Sequence, residues 1–227
     1  MDMRRRLALS TAFAAAIILS FVPHPVPGQE AHGQTNREAV DRMRDRDLRP
    51  EKILEAIGLE EGMRVGEAGA SYGYFTFKMS RRVGNSGVVY ANDIDARALR
   101  QIEQECAADG ITNVRTVLGA EVDPRFPVKD LDMIVVFDCL FEFSKPTEWM
   151  SNARGYLGKG GHLVVVDPDP AKMGGGEHFL SREEIVGFAK EAGYEPVKVD
   201  DSFLKSHMIV MLRPDQEGGD GQIKWGE

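Results

Sequence analysis

The sequence predicts an α/β fold: a doubly wound, mostly parallel sheet of seven strands whose last strand runs antiparallel to the others. Two observations predict it. Short apolar runs that end in small or acidic residues alternate with stretches of helical period, the pattern of βαβ units joined by right-handed crossovers. Near the C-terminus the rhythm breaks, because two strand-like runs follow one another with no helix between them and should pair as a hairpin. The composition, 42% hydrophobic and 28% charged over 227 residues, suits one globular domain with an ordinary core.

Residues 1–28 precede this pattern. Arg4, Arg5 and Arg6 are followed by an apolar run from Leu7 to Val22, then by the breaker-rich stretch Pro23 to Gly28. Charged start, short apolar centre and small residue at the end are the order of a signal peptide, and the run is short for a membrane span of about 20 residues. Residues 1–28 are therefore expected to be a signal peptide for export to the periplasm or beyond, with an uncleaved anchor as the alternative. Their removal takes away three arginines and Asp2, moving the net charge from −8 to −10. So acidic a chain argues against nucleic acid or an anionic membrane as partner and for a small molecule or a protein.

Residues 29–47 read as a polar lead followed by a weakly amphipathic, charge-crowded helix from Arg37 to Asp47, with Ala39, Val40 and Met43 as its apolar side. The domain proper is expected over 48–213. Pro50 opens a helix striped by Ile53, Leu54 and Ile57 and stopped by Gly58. Strands are predicted at 63–68, 87–91, 114–118, 131–137 and 162–166, with helices at 72–83, 96–108, 146–157 and 181–192 between them. The final hairpin is expected at 195–199 and 207–212, and residues 214–227 read as a flexible tail. Cys106 and Cys139 belong to no disulfide framework and are expected as free thiols, although an exported chain offers the conditions to pair them.

In an open parallel sheet, ligands sit beyond the carboxyl ends of the strands, where strand order reverses. The first strand ends in Glu67-Ala68-Gly69-Ala70-Ser71-Tyr72-Gly73. Gly69 permits a sharp turn, Ser71 is small enough for close approach, and Gly73 allows the next helix to pack near. A dinucleotide fingerprint would want a small residue where Tyr74 stands, so the loop suits a ligand without a pyrophosphate. Glu67 fits the same idea, since a carboxylate attracts a sulfonium or ammonium and repels phosphate. Asp93 ends the second strand, placed to accept ribose hydroxyls, with Ile94 beside it and Asp95 as the cap of the following helix.

With these residues in view, 48–213 resembles the class I S-adenosylmethionine-dependent methyltransferases. The likeness is carried by Arg49-Pro50-Glu51-Lys52, Gly73-Tyr74-Phe75-Thr76, Val89-Tyr90-Ala91-Asn92-Asp93-Ile94-Asp95 and Gly158-Lys159-Gly160-Gly161. The chain departs from that pattern in three places. Ser71 replaces the middle glycine, Gly119-Ala120-Glu121 stands where the family has Gly-Asp, and Asp138-Cys139-Leu140-Phe141-Glu142-Phe143 follows the fourth strand in place of a histidine pair.

The resemblance implies S-adenosylmethionine as methyl donor, held by Glu67, Gly69, Ser71, Gly73, Asp93 and Ile94, with Glu121 at the adenine and Asp138 at the methionine end. Methyl transfer needs chiefly an aligned acceptor within about 3 to 3.5 Å and excluded water. Glu142 is a candidate to take the acceptor's proton or else a solvated loop carboxylate. His178, on the glycine-rich segment 172–179, is a second catalytic candidate if that segment is a lid and not only a long loop. Asp167 and Asp169, with Asp138, are similar to the magnesium site of catechol-type methyltransferases, yet Asp-Pro pairs also make turns, and no metal is expected. A non-catalytic relative that keeps the fold for binding is the alternative to an enzyme, because the cofactor is made in the cytoplasm.

Overall fold

The computed structural model describes residues 39–175 and 178–215, so the predicted signal peptide, the polar lead and the tail beyond Asp215 lie outside the described residues. Apart from Ala39, all of these belong to the compact unit Val40–Glu227. Residues 39–48 are helical (α1). The chain continues through α2 (Pro50–Ala56), β1 (Arg64–Ala68), α3 (Thr76–Val83), β2 (Val88–Asp93), α4 (Ala96–Asp109), β3 (Val114–Leu118) and β4 (Leu131–Phe137). A 3₁₀ turn at Leu140–Glu142 leads to α5 (Pro146–Arg154), β5 (Leu157–Pro168), α6 (Pro170–Met173), α7 (Arg182–Glu191), β6 (Tyr194–Val197) and β7 (His207–Pro214). Among the described residues no helix is long and apolar enough to cross a membrane.

The seven strands form one sheet in the order β3-β2-β1-β4-β5-β7-β6. The first five pair in parallel. β7 pairs antiparallel with both β5 and β6, as the missing helix before it predicts. Strand order reverses beside β1, so the loops after β1 and β4 diverge there and leave a crevice at their carboxyl ends.

Side-chain alternation along the central strands explains the double winding. Met133 and Val135 of β4, with Val164 and Val166 of β5, face one side, where α2, α3 and α4 bury Ile53, Leu54, Met79, Val83, Leu99 and Ile102 against them. Ile134, Val136, Leu163 and Val165 face the other, under Trp149, Met150 and Ala153 of α5 and Ile185 and Ala189 of α7.

Several boundaries differ from the sequence reading, each for a local reason. α3 begins at Thr76 and not at residue 72, because Gly73 has φ +85 and cannot be helical. α5 stops at Arg154 with Gly155 as its cap, and β5 starts early at Leu157, so Gly158-Lys159-Gly160-Gly161 lies within the strand and not before it. The register against β4 shifts there, and a Cβ at Gly161 would lie 2.6 Å from the Leu131 carbonyl. α1 turns its expected apolar side outward: Val40 and Met43 are 55% and 57% exposed, and the helix docks through Arg44, Asp45 and the buried Leu48.

Candidate functional site

The loop after β1 is bent by its backbone. Gly69, Ser71 and Gly73 have φ of +75, 48 and +85, so every second residue is left-handed. The two glycines are required by space as well as by angle. A Cβ on Gly69 would lie 2.4 Å from Cys139 Sγ, and one on Gly73 would lie 2.6 Å from the Phe77 ring. Ser71 accepts the left-handed conformation at a cost of about 1 kcal/mol. Its N–H donates to Asp93 Oδ2 at 2.7 Å, which fixes the loop to the tip of β2. The serine thus keeps the backbone path that a glycine would give.

Asp93 also accepts the Asp95 N–H on Oδ1 at 2.8 Å, while Asp95 caps α4 by accepting the Arg97 N–H. Each carboxylate oxygen retains a second lone pair for a ligand hydroxyl. Glu67 lies one strand over and is 1% exposed. It accepts a hydrogen bond from the Thr76 hydroxyl. Burial pushes its carboxyl up to about 8 against the Thr76 hydrogen bond, and Asp93 nearby adds to the rise. With no cation beside it, desolvation favours its protonated form.

These groups open on one cavity of about 660 Å³, within the usual size for a small-molecule site. Of the residues singled out in the sequence, Glu67, Gly69, Ser71, Asp93, Ile94, Glu121, Asp138 and Glu142 line it. Ile94 is at the rim, 68% exposed. Glu121 accepts a hydrogen bond from the Ser144 hydroxyl across the mouth. Glu142 closes the 3₁₀ turn on the exposed side. Gly73 acts from behind the wall through its contact with α3. His178 does not line the cavity: its ring packs against Phe141 and Phe179 at 5.7 and 5.5 Å. Of the expected lid, Gly176 and Glu177 lie outside the described residues, and Lys172 and Met173 end the short helix α6, with the Lys172 ammonium donating to the His207 carbonyl at 2.8 Å.

The carboxylates at the end of β5, Asp167 within the strand and Asp169 just beyond it, bond to backbone groups. Asp167 Oδ1 accepts the N–H groups of Cys139 and Leu140 at 3.0 and 3.4 Å, and burial lifts its carboxyl to about 7. Asp169 caps α6 by accepting the Ala171 N–H at 3.0 Å. Among the described residues, no three His, Cys, Asp or Glu side chains gather in a metal-binding group. Cys106 and Cys139 are free thiols.

Three features at the pocket wall or behind it were missed in the sequence. Arg44, from α1, donates from Nη2 to Asp138 Oδ2 at 2.8 Å and lies over the Tyr74 ring, 4.1 Å from its centroid. Tyr74 in turn donates to Asp45 at 2.9 Å, and Lys78 pairs with Asp45 at 2.6 Å. On the far side His207 Nε2 stands 3.4 Å from Asp138 Oδ1, with Ser206 Oγ at 3.0 Å from its other ring nitrogen. The one hint was the charge crowding of 37–47, which does not single out Arg44 from its neighbours.

The donor set can therefore hold a cationic ligand with a sugar. It offers carboxyl groups at two strand tips and aromatic side chains from Tyr74 and Phe137, but, among the described residues, no group of basic residues for phosphate. Comparison with known proteins agrees with this chemistry. Residues 65–161 match the family described as methyltransferase domain. A fibrillarin-like rRNA/tRNA 2'-O-methyltransferase of Pyrobaculum aerophilum is 27% identical over 122 residues, 50% of this chain and 48% of that protein. The ubiquinone/menaquinone biosynthesis C-methyltransferase UbiE of Azotobacter vinelandii is 27% identical over 168 residues, 72% of this chain and 65% of that one. The chain thus spans between about half and two thirds of the length of these relatives. A solved SAM-dependent methyltransferase from Aquifex aeolicus shares the fold with a TM-score of 0.69 at 23% identity, covering 78% of this chain and 96% of its own.

Proposed function

We propose that this chain, whose residues 65–161 match a methyltransferase domain, is a class I S-adenosylmethionine-dependent methyltransferase that transfers a methyl group to a small-molecule or protein acceptor. The observation that supports this reading is that Glu67 and Asp93, at the tips of adjacent strands, line one cavity on either side of a left-handed loop of small residues, Gly69, Ala70 and Ser71. Asp93 is suited to the ribose and Glu121 to the adenine. Glu67 and Asp138 are suited to the charged end. When bound, the cofactor supplies a methyl carbon activated by positive sulfur: the acceptor's lone pair forms the new bond, the electron pair of the broken carbon–sulfur bond stays on sulfur, and S-adenosylhomocysteine results.

The chain's own work is alignment and exclusion of water. Phe137, Phe143 and Trp149 contribute apolar lining to the cavity. Glu142, at the rim, is the carboxylate placed to take the acceptor's proton and pass it to solvent. We further propose that residues 1–28 direct the protein out of the cytoplasm, so that its acceptor lies in the cell envelope. Titration calorimetry of the full chain with S-adenosylmethionine and S-adenosylhomocysteine tests the core of the reading. Binding in the micromolar range is expected, and the absence of heat up to millimolar ligand would overturn it.

A further inference from the structure

We infer that Arg44 and Asp138 together seat the amino-acid end of the cofactor, their ion pair opening so that Asp138 takes the ammonium and Arg44 the carboxylate. The inference rests on the pocket being an S-adenosylmethionine site and goes beyond it by assigning a specificity-determining pair, one member of which lies outside the loop motifs.

Four observations carry it. Arg44 is the one lysine, arginine or histidine among the described residues that line the cavity, whereas Glu67, Asp93, Glu121, Asp138 and Glu142 are all acidic. An α-amino acid end bears one charge of each sign, and only at Arg44 and Asp138 does the wall present both signs side by side, 2.8 Å apart. The two side chains are 34% and 30% exposed, so their mutual attraction is weakened by water and is readily exchanged for a ligand of matching charges.

Each partner is also supported independently of the other. The guanidinium rests on the Tyr74 ring, and α1 stays anchored through Asp45, which holds the Tyr74 hydroxyl and the Lys78 ammonium. Asp138 is backed by His207. When the pair opens, neither side chain loses its footing. The fork of five donors on Arg44 suits a carboxylate, and the contact with Asp138 uses only part of it.

The test compares two ligands on three forms of the full chain. S-adenosylhomocysteine carries the amino-acid end, and 5'-methylthioadenosine has the same nucleoside without it. Arg44→Ala should weaken S-adenosylhomocysteine by about 10- to 100-fold, the usual effect of losing a hydrogen bond to a charged group. Its affinity for 5'-methylthioadenosine should stay within about threefold. Arg44→Lys should fall between, because a lysine keeps the charge but not the fork. A melting curve shows that each variant is folded, as expected for a half-exposed side chain. Unchanged or tighter binding of S-adenosylhomocysteine to Arg44→Ala would make Arg44 a mere plug and overturn the inference. Equal weakening of both ligands would also overturn it, since the loss would then not concern the amino-acid end. Should the wild type bind neither ligand, the cofactor reading itself fails and takes this inference with it.

Discussion

At the β1–β2 end of the cavity the backbone sets the shape, whereas at the β4–β5–β7 end the shape is set by side chains brought together from distant parts of the chain. The first end has three left-handed residues in five, two of them glycines with a neighbour where a Cβ would stand. The second has Arg44, Asp138 and His207 in a row, joined across 94 and 69 positions of sequence. A site of the first kind tolerates little change, because each substitution moves a backbone that other groups depend on. The second kind can be altered piece by piece, because each side chain is supported separately.

Substitutions can break or sharpen this contrast. The largest effect is expected for Asp93→Ala, which removes the proposed acceptor for ribose and also the tie to the Ser71 N–H. Cofactor affinity should fall by about 100-fold or more, on the scale of two hydrogen bonds to a charged group. Unchanged affinity in a titration would show that the backbone-built end does not hold the nucleoside.

Glu67 comes next. In the folded chain its carboxyl is pushed up to about 8 from an ordinary value of 4.5, so between those values the unfolded chain gives up a proton that the folded chain keeps. Stability contributed by this group is therefore lost as pH rises through that window and levels off above pH 8, a difference on the order of a few kcal/mol. Asp167 acts in the same sense below about pH 7. Melting curves from pH 6 to pH 9 should show the wild type losing ground against Glu67→Gln. A constant difference between the two would mean that Glu67 is already ionised.

Gly73→Ala should cost about 1 to 3 kcal/mol, from the left-handed angle and the collision with Phe77 together. Denaturant titration reads this directly, and a neutral outcome would deny the backbone its leading part. His207→Gln, at the other end, should shift stability by less than about 1 kcal/mol and cofactor affinity by no more than about threefold, as expected for a contact at the limit of hydrogen-bond distance. A large loss there would erase the distinction between the two ends.

The same contrast explains what could be read in advance. The strands, their parallel pairing and the antiparallel β7 follow from periodicity and from one missing helix, since alternation of apolar residues is a local property. Glu67, Gly69, Gly73 and Asp93 were legible because the loop that joins β1 to its helix packs its constraints into a few consecutive positions. Arg44 and His207 were not. Their roles come from strand order, which brings the start of β7 beside the end of β4, and from a helix that docks by charge with its apolar residues turned outward. Nor does spacing report desolvation, so the rise at the Glu67 carboxyl follows only from its burial.

Cys139 lies under the bend at Gly69, and burial together with Asp167, Glu67, Glu142 and Asp138 raises its thiol well above the ordinary range. The thiolate is the reactive form of cysteine, and here it is suppressed. In a cavity proposed to hold an electrophilic carbon, an ionised sulfur would be the strongest competitor for it and would end as a methyl thioether. Burial first, and the neighbouring carboxyl groups second, thus keep this sulfur in its less reactive form beside the proposed site of the methyl group.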